Sequence, residues 1–415
     1  MSASTVAVLF LVVLLLTSAL RVWLALRQIR HVATHRAAVP AEFADSIALA
    51  EHQKAADYSV AKTRLFLLEL AADVLLMLAF TLGGLLQWFD DRLFAAFGSR
   101  ESLYGLALFA CFGLTGFAVG LPFSLYRTFV LEARFGFNKT TPALFVSDLL
   151  KSTVLAVLIG SPVLFAVLWL MAAMGERWWL YVWLFWLGFN LLVLLLYPTL
   201  IAPLFNKFVP LEDAALKARI DALLARCGFA ASGLFVMDGS RRSAHGNAYF
   251  TGFGKARRIV FFDTLLEKLA PAEVEAVLAH ELGHFKHRHV WKRVALLAAV
   301  SLALLWLLGQ LIAEPAFYQG LGVAASGTAM ALILFSLVLP VFSFPFAPLT
   351  SQLSRRHEFE ADAYAAQQSA ANELVAALVK LYRDNAATLT PDPLHSLFYD
   401  SHPPASLRIA RLKAL

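Results

Sequence analysis

Charge is the first thing this chain lacks. Of its 415 residues, 15% are Asp, Glu, Lys or Arg and 60% are hydrophobic, against roughly a quarter charged in an ordinary soluble domain. With a mean hydropathy of +0.68, this excludes a water-soluble globular chain and points to a polytopic membrane protein. Cysteine is nearly absent: Cys111 lies in an apolar stretch and Cys227 in a polar one. Two such residues, with no CxxC and no Cys/His cluster, exclude a disulfide framework and a thiolate metal site. The opening stretch MSASTVAVLFLVVLLLTSALRVWLAL has no basic region before its apolar run. The run also exceeds that of a secretory signal, so a retained first membrane helix is expected. The formal charge of +6 is read as loop asymmetry, not as a nucleic-acid surface, and no nucleic-acid partner is expected.

What is present is apolar length. Seven stretches can span a bilayer, at 5–26, 65–87, 103–125, 153–174, 178–200, 294–313 and 328–349, the fourth and fifth joined as a hairpin near Gly175-Glu176-Arg177. The loop after the first holds Arg27, Arg30, Arg36, Lys54, Lys62 and Arg64, and that after the third holds Arg127, Arg134, Lys139 and Lys151, whereas the alternate loops are poor in positive charge. The positive-inside rule then puts the N-terminus outside, and both the segment 201–293 and the tail after 350 in the cytoplasm. The expected division is 1–200 for five spans and their loops, 201–293 for a first polar segment, 294–349 for two further spans and 350–415 for a second polar segment. Glu69 and Asp73 share a face of the second span. Carboxylates in hydrocarbon are costly, so they should face a water-filled interior or a basic partner, unless the span starts later and Glu69 lies at the interface.

The segment from 201 changes character. LEDAALKARIDALLARCGF is an amphipathic helix closed by Gly228. LFVMDGS, NAYFTGF and RRIVFFDTLL read as three strands, with Gly252 and Gly254 marking the turn between the last two. The run PAEVEAVLAHELGHFKHRHVWKR follows as a helix, with Pro271 suited to its first turn and Glu273 and Glu275 near the positive end of its dipole. On that helix His280 and His284 sit one turn apart on one face, and Glu281 is offset by about 100°. Two neutral imidazoles can grip one Zn²⁺ while the carboxylate reaches a water beside it, which is the zincin arrangement. His287 and His289 are spaced away from that face and are read as solvated or interfacial.

After the seventh span, SRRHEFEADAYAAQ places Glu358 and Asp362 four residues apart on a helix. Glu358 can complete the site as third ligand, and Asp362 can accept the outer N–H of a ligand histidine. Glu360 falls on another face and is read as a solvated surface carboxylate. Near the end, YDSHPPASLRIARL holds His402 just before two prolines. It is either a structural histidine or a group that stabilises an oxyanion. The small sheet before the HELGH helix offers the kind of edge strand on which zincin-like enzymes lay an extended substrate.

These residues give the chain a resemblance to the type I CAAX prenyl endopeptidases, the integral-membrane zinc metallopeptidases that include the yeast a-factor-converting enzyme. The likeness runs nearly the whole length. It rests on the seven spans, ARFGFNKTT at 133–141, SAHGNAYFTGF at 243–253, RRIVFFDTLL at 257–266, VLAHELGH at 277–284, SRRHEFEADAYA at 354–365 and SHPP at 401–404. It implies a mainly α fold with seven membrane helices around an aqueous chamber, and a zincin-like cytoplasmic domain carrying a small β-sheet. It implies one zinc ion held by His280, His284 and Glu358, with Glu281 as general base and Asp362 behind the ligands. Asn247, His402 and Arg408 would hold the substrate backbone or the oxyanion. The implied substrate is a peptide or protein, lipidated in the family, from which the last three residues are removed. The Ala-, Leu- and Arg-rich composition looks bacterial, so a monomer in a bacterial inner membrane is expected and the lipid group on its substrate is open. Two other functions fit parts of the sequence. One is a heat-shock-type quality-control membrane metallopeptidase, which would have about four spans. The other is a transporter using Glu69 and Asp73, with a vestigial metal site.

Overall fold

The computed structural model describes residues 1–97, 100–251, 258–324 and 326–415. Among the described residues, six helices are long and apolar enough to cross a membrane: Ala3–Thr34, Glu101–Glu132, Pro142–Ala173, Gly175–Phe205, His289–Leu311 and Thr328–Gln368. A bent pair, Leu49–Phe80 followed by Leu85–Phe97 at an angle of 49°, passes the same length and hydropathy test together and brings the number to seven if it is one span. The second span expected at 65–87 is therefore not one helix. Thr81 turns its hydroxyl back onto the Met77 carbonyl, Gly84 takes φ +75, and the backbone leaves the helical path between them. The hairpin expected near Gly175 is present, with Gly175 at φ +57.

The largest buried cluster of the spans lies toward one end. Phe10, Leu14, Phe80, Leu108, Leu168 and Leu334 belong to a single buried cluster that also holds Leu308. These residues lie near the start of the first, third and seventh spans and the end of the second, fourth and sixth. No residue of 109–130, 145–166 or 183–197 is buried. Apolar helices so little buried over that length leave one face to lipid and the other to an interior cavity. The spans thus seal the end remote from the polar segments, part as they approach them, and enclose a chamber.

The polar segments form one unit at the open end. Its sheet has the order β1-β2-β4-β3, with β1 at Phe208–Pro210, β2 at Gly233–Met237, β3 at Ala248–Thr251 and β4 at Arg258–Phe262. β2 and β4 are parallel, and the other two pairings are antiparallel. β3 is an edge, with Ala248 opposite Phe261. The expected third strand, 257–266, stops at Phe262: Asp263 accepts from the Ser240 and Thr264 amides and opens a short helix, Asp263–Leu266. Gly252 and Gly254 lie outside the described residues. The helix Ala214–Arg226 is capped by Asp213 and buries Leu216, Ile220, Leu223 and Leu224 against the sheet, an amphipathic helix as its sequence requires.

The HELGH helix, Pro271–Lys286, starts on Pro271 with the Glu273 carboxylate accepting from the Ala270 amide. It lies against Ala347–Gln368, the helix that continues out of the seventh span. Gly283 makes the approach possible: a Cβ there would stand 2.8 Å from Ala361 Cα. Gly283→Ala should force the two helices apart. We expect a cost of about 1–3 kcal/mol and weaker metal retention, read by melting in detergent and by metal content.

Several contacts fasten this unit to the spans. Arg242 grips Asp148 with two hydrogen bonds of 2.8 and 3.0 Å and also reaches Asn206. Arg27 of the first span binds Asp392. The loop at 133–141 docks on 243–246, where Ala244 N donates to Phe137 O and Phe137 stacks on His245.

Candidate metal centre

Two helices build the site. His280 and His284 project from one face of the HELGH helix with their Nε2 atoms 3.2 Å apart. Glu358 comes from the facing helix, its Oε2 3.5 Å from His280 Nε2 and its Oε1 3.4 Å from His284 Nε2. One ligand atom from each residue lies within 4.8 Å of the others.

The outer nitrogen of each histidine is already committed. His280 Nδ1 is 2.9 Å from Asp362 Oδ1, and His284 Nδ1 is 2.9 Å from His289 Nδ1. If each outer nitrogen carries the proton, both Nε2 lone pairs converge on one point. Glu358 Oε2 faces that point, buried and without a hydrogen-bond partner. Two imidazole nitrogens and a carboxylate oxygen converging in one buried spot are a donor set that fits a single cation such as Zn²⁺.

The electrostatics agree. Burial would lower the His280 pKa, but the Asp362 and Glu358 carboxylates outweigh it and push it up to about 9. His284 is lowered to about 3 by burial and by the charge on His280. The two carboxylates thus favour positive charge in this corner. Burial pushes Glu281 above the usual carboxylate range, as suits a group that must both take and return a proton.

A cavity of about 930 Å³ opens in front of the site, and His280, Glu281, Glu358, Asn247, His402 and Arg408 all line it. Asn247 immediately precedes β3, and its side chain accepts from the Ala248 amide. His402 has Nε2 3.4 Å from Glu358 Oε1 and Nδ1 3.0 Å from Ser401 Oγ. Arg408 is buried and bound to Asp362 by two hydrogen bonds of 2.9 and 2.6 Å. It meets the ligand carboxylate only through Nη1, 3.5 Å from Glu358 Oε2. Its closest task is to hold the carboxylate that orients His280.

The cavity reaches Ser59, Lys62 and Phe66 of the second span. Glu69 follows Lys62, and Asp73 follows Phe66, by seven residues, which is two turns and the same face. Both acids therefore face the chamber. Glu69 has the basic partner the sequence called for, Arg127 at 2.5 and 2.7 Å, while Asp73 is exposed.

His289, read as solvated or interfacial, is buried and contacts His284, while Glu360 is exposed as read and also lies 2.8 Å from His289 Nε2 as its hydrogen-bond partner. On an unbroken helix, residue 289 would point about 140° from residue 284. The chain breaks instead at Arg288, which takes φ 56, and His289 swings back beneath His284. A rare left-handed arginine leaves no mark in the residue pattern.

Residues 28–207 match the family described as CAAX prenyl protease N-terminal, five membrane helices, and residues 210–415 match Peptidase family M48. A CAAX prenyl protease 1 homolog of Arabidopsis thaliana is 35% identical over 387 residues, spanning 91% of this chain and 90% of that protein. CAAX prenyl protease 1 of Saccharomyces cerevisiae is 36% identical over 310 residues, spanning 71% and 68%. The crystal structure of S. mikatae Ste24p superposes with a TM-score of 0.92 at 30% identity, covering 98% of this chain and 99% of that one.

Proposed function

Because the chain belongs to the CAAX prenyl protease family of M48 peptidases and is an integral-membrane metallopeptidase, we propose that it is a zinc endopeptidase. Its substrates are peptide or protein C-termini of the CAAX type, cut three residues from the end. One observation carries the reading: the donor atoms of His280, His284 and Glu358 lie within 4.8 Å of one another, beside Glu281, on a cavity that runs into the chamber. The six or seven crossings speak against a four-span heat-shock-type peptidase.

The residues divide the work. His280, His284 and Glu358 hold the ion, which when bound supplies Lewis acidity for water and for the scissile carbonyl. Glu281 takes a proton from the attacking water and returns it to the leaving amine. His402, at the rim, offers a ring N–H to the carbonyl oxygen as charge develops there. Asn247 and the free edge of β3 hold the extended substrate through its main chain. Asp362 and Arg408 keep His280 in its ligating tautomer.

The excess of Lys and Arg in the loops after the first and third spans supports a cytoplasmic catalytic unit with the N-terminus outside. Composition supports a bacterial inner membrane. We take the working unit to be one chain, since one chain supplies every residue named.

Purified protein should contain one zinc per chain and cleave a farnesylated CAAX peptide. Chelation with 1,10-phenanthroline should abolish cleavage and added zinc should restore it. An unlipidated twin peptide cleaved equally well would remove the prenyl group from the specificity. Cleavage of neither peptide by zinc-loaded protein would overturn the proposed substrate class.

A further inference from the structure

We propose that His289 and Glu360 are positioning residues of the metal centre, which set the tautomer and ring plane of His284 as Asp362 does for His280. The inference rests on the reading of His284 as a metal ligand.

The geometry allows one assignment of protons. His284 must keep Nε2 bare to ligate, so its proton is on Nδ1, pointing at His289 Nδ1 at 2.9 Å. His289 must then accept at Nδ1 and carry its own proton on Nε2. There it donates to Glu360 Oε2 at 2.8 Å. A carboxylate is acceptor-only, so the chain has a fixed direction: Glu360 accepts from His289, which accepts from His284. Reversing any link would leave two donors or two acceptors face to face.

The middle ring is locked in place. His289 is 3% exposed and lies between two nearly parallel imidazoles, His357 at 4.0 Å and 14° and His287 at 5.6 Å and 17°. Lys292 Nζ stands 3.9 Å from the same Glu360 oxygen and favours its charged form. The ligand pair is therefore supported from two sides. Asp362 and Arg408 lie behind His280, while an imidazole at the start of the sixth span and a carboxylate on the helix that continues the seventh lie behind His284.

The test is zinc affinity, measured by competition with a chromophoric chelator on full-length protein in detergent, with the melting of the metal-free form recorded alongside. His289→Leu removes the acceptor and should weaken zinc about 10–100-fold. His289→Asn places a carbonyl oxygen near the lost Nδ1 and should recover most of that. Glu360→Ala, a change at a half-exposed residue, should weaken zinc severalfold, and Glu360→Gln, whose amide oxygen still accepts, should be close to wild type. His289→Leu combined with Glu360→Ala should be no worse than His289→Leu alone, because both cut one chain of hydrogen bonds. Wild-type affinity in His289→Leu, equal losses in His289→Asn and His289→Leu, or additive losses in the double variant would overturn the proposal. Undiminished zinc in His284→Ala would instead overturn the assignment of His284 as a ligand, and the positioning role with it.

Discussion

Glu281→Gln should lower kcat/KM by about 10²–10⁴-fold while one zinc ion per chain stays bound. The amide keeps the size of the carboxylate and its place on the cavity wall, but it cannot take a proton from water or return one to an amine. Glu281 is not among the grouped donors His280, His284 and Glu358, so the metal has no reason to leave. Parallel measurement of zinc content and turnover of the farnesylated peptide checks this. Normal turnover would remove Glu281 from the chemistry, and loss of zinc together with turnover would make it a ligand.

Glu358→Ala should have the other large effect, loss of the metal itself. Two imidazoles would remain with their Nε2 atoms 3.2 Å apart, with the third donor and its negative charge removed from beside them. The substitution also leaves Arg408 Nη1 without the carboxylate oxygen 3.5 Å away, a second cost in a buried place. We expect zinc content near zero after dialysis and no detectable peptidase activity. His402→Ala, which touches Glu358 only from the rim, should retain zinc and lose turnover. Stable zinc in Glu358→Ala would mean that the ion sits elsewhere.

How much of this was legible in the residues differs from element to element. The HELGH helix could be read outright, because a helical spacing of four puts His280 and His284 on one face whatever surrounds them. Glu358 and Asp362 could be read because the charge asymmetry of the loops returned their segment to the same side of the membrane. The broken second span could not, since TLGGLLQWF carries no charge and a hydropathy window does not register a Gly84 at φ +75. β1 is three residues long and owes its existence to pairing with β2, a tertiary effect. The seal at the far end of the spans was equally hidden, because lipid-facing and protein-facing leucines have the same hydropathy. The contact of His289 with His284 was missed for the most local reason of all, a single backbone torsion at Arg288.

The arrangement of the metal helices along the chain has a consequence for biogenesis. His280 and His284 are made before the last two spans, Glu358 and Asp362 after them, and Arg408 close to the final residue. Chains emerge from the ribosome N-terminus first. A nascent molecule therefore exposes an incomplete half-site until its final hairpin has entered the bilayer and brought the two helices together at Gly283 and Ala361. Proteolytic competence therefore waits on correct insertion of that hairpin, which makes membrane insertion itself the event that completes the site.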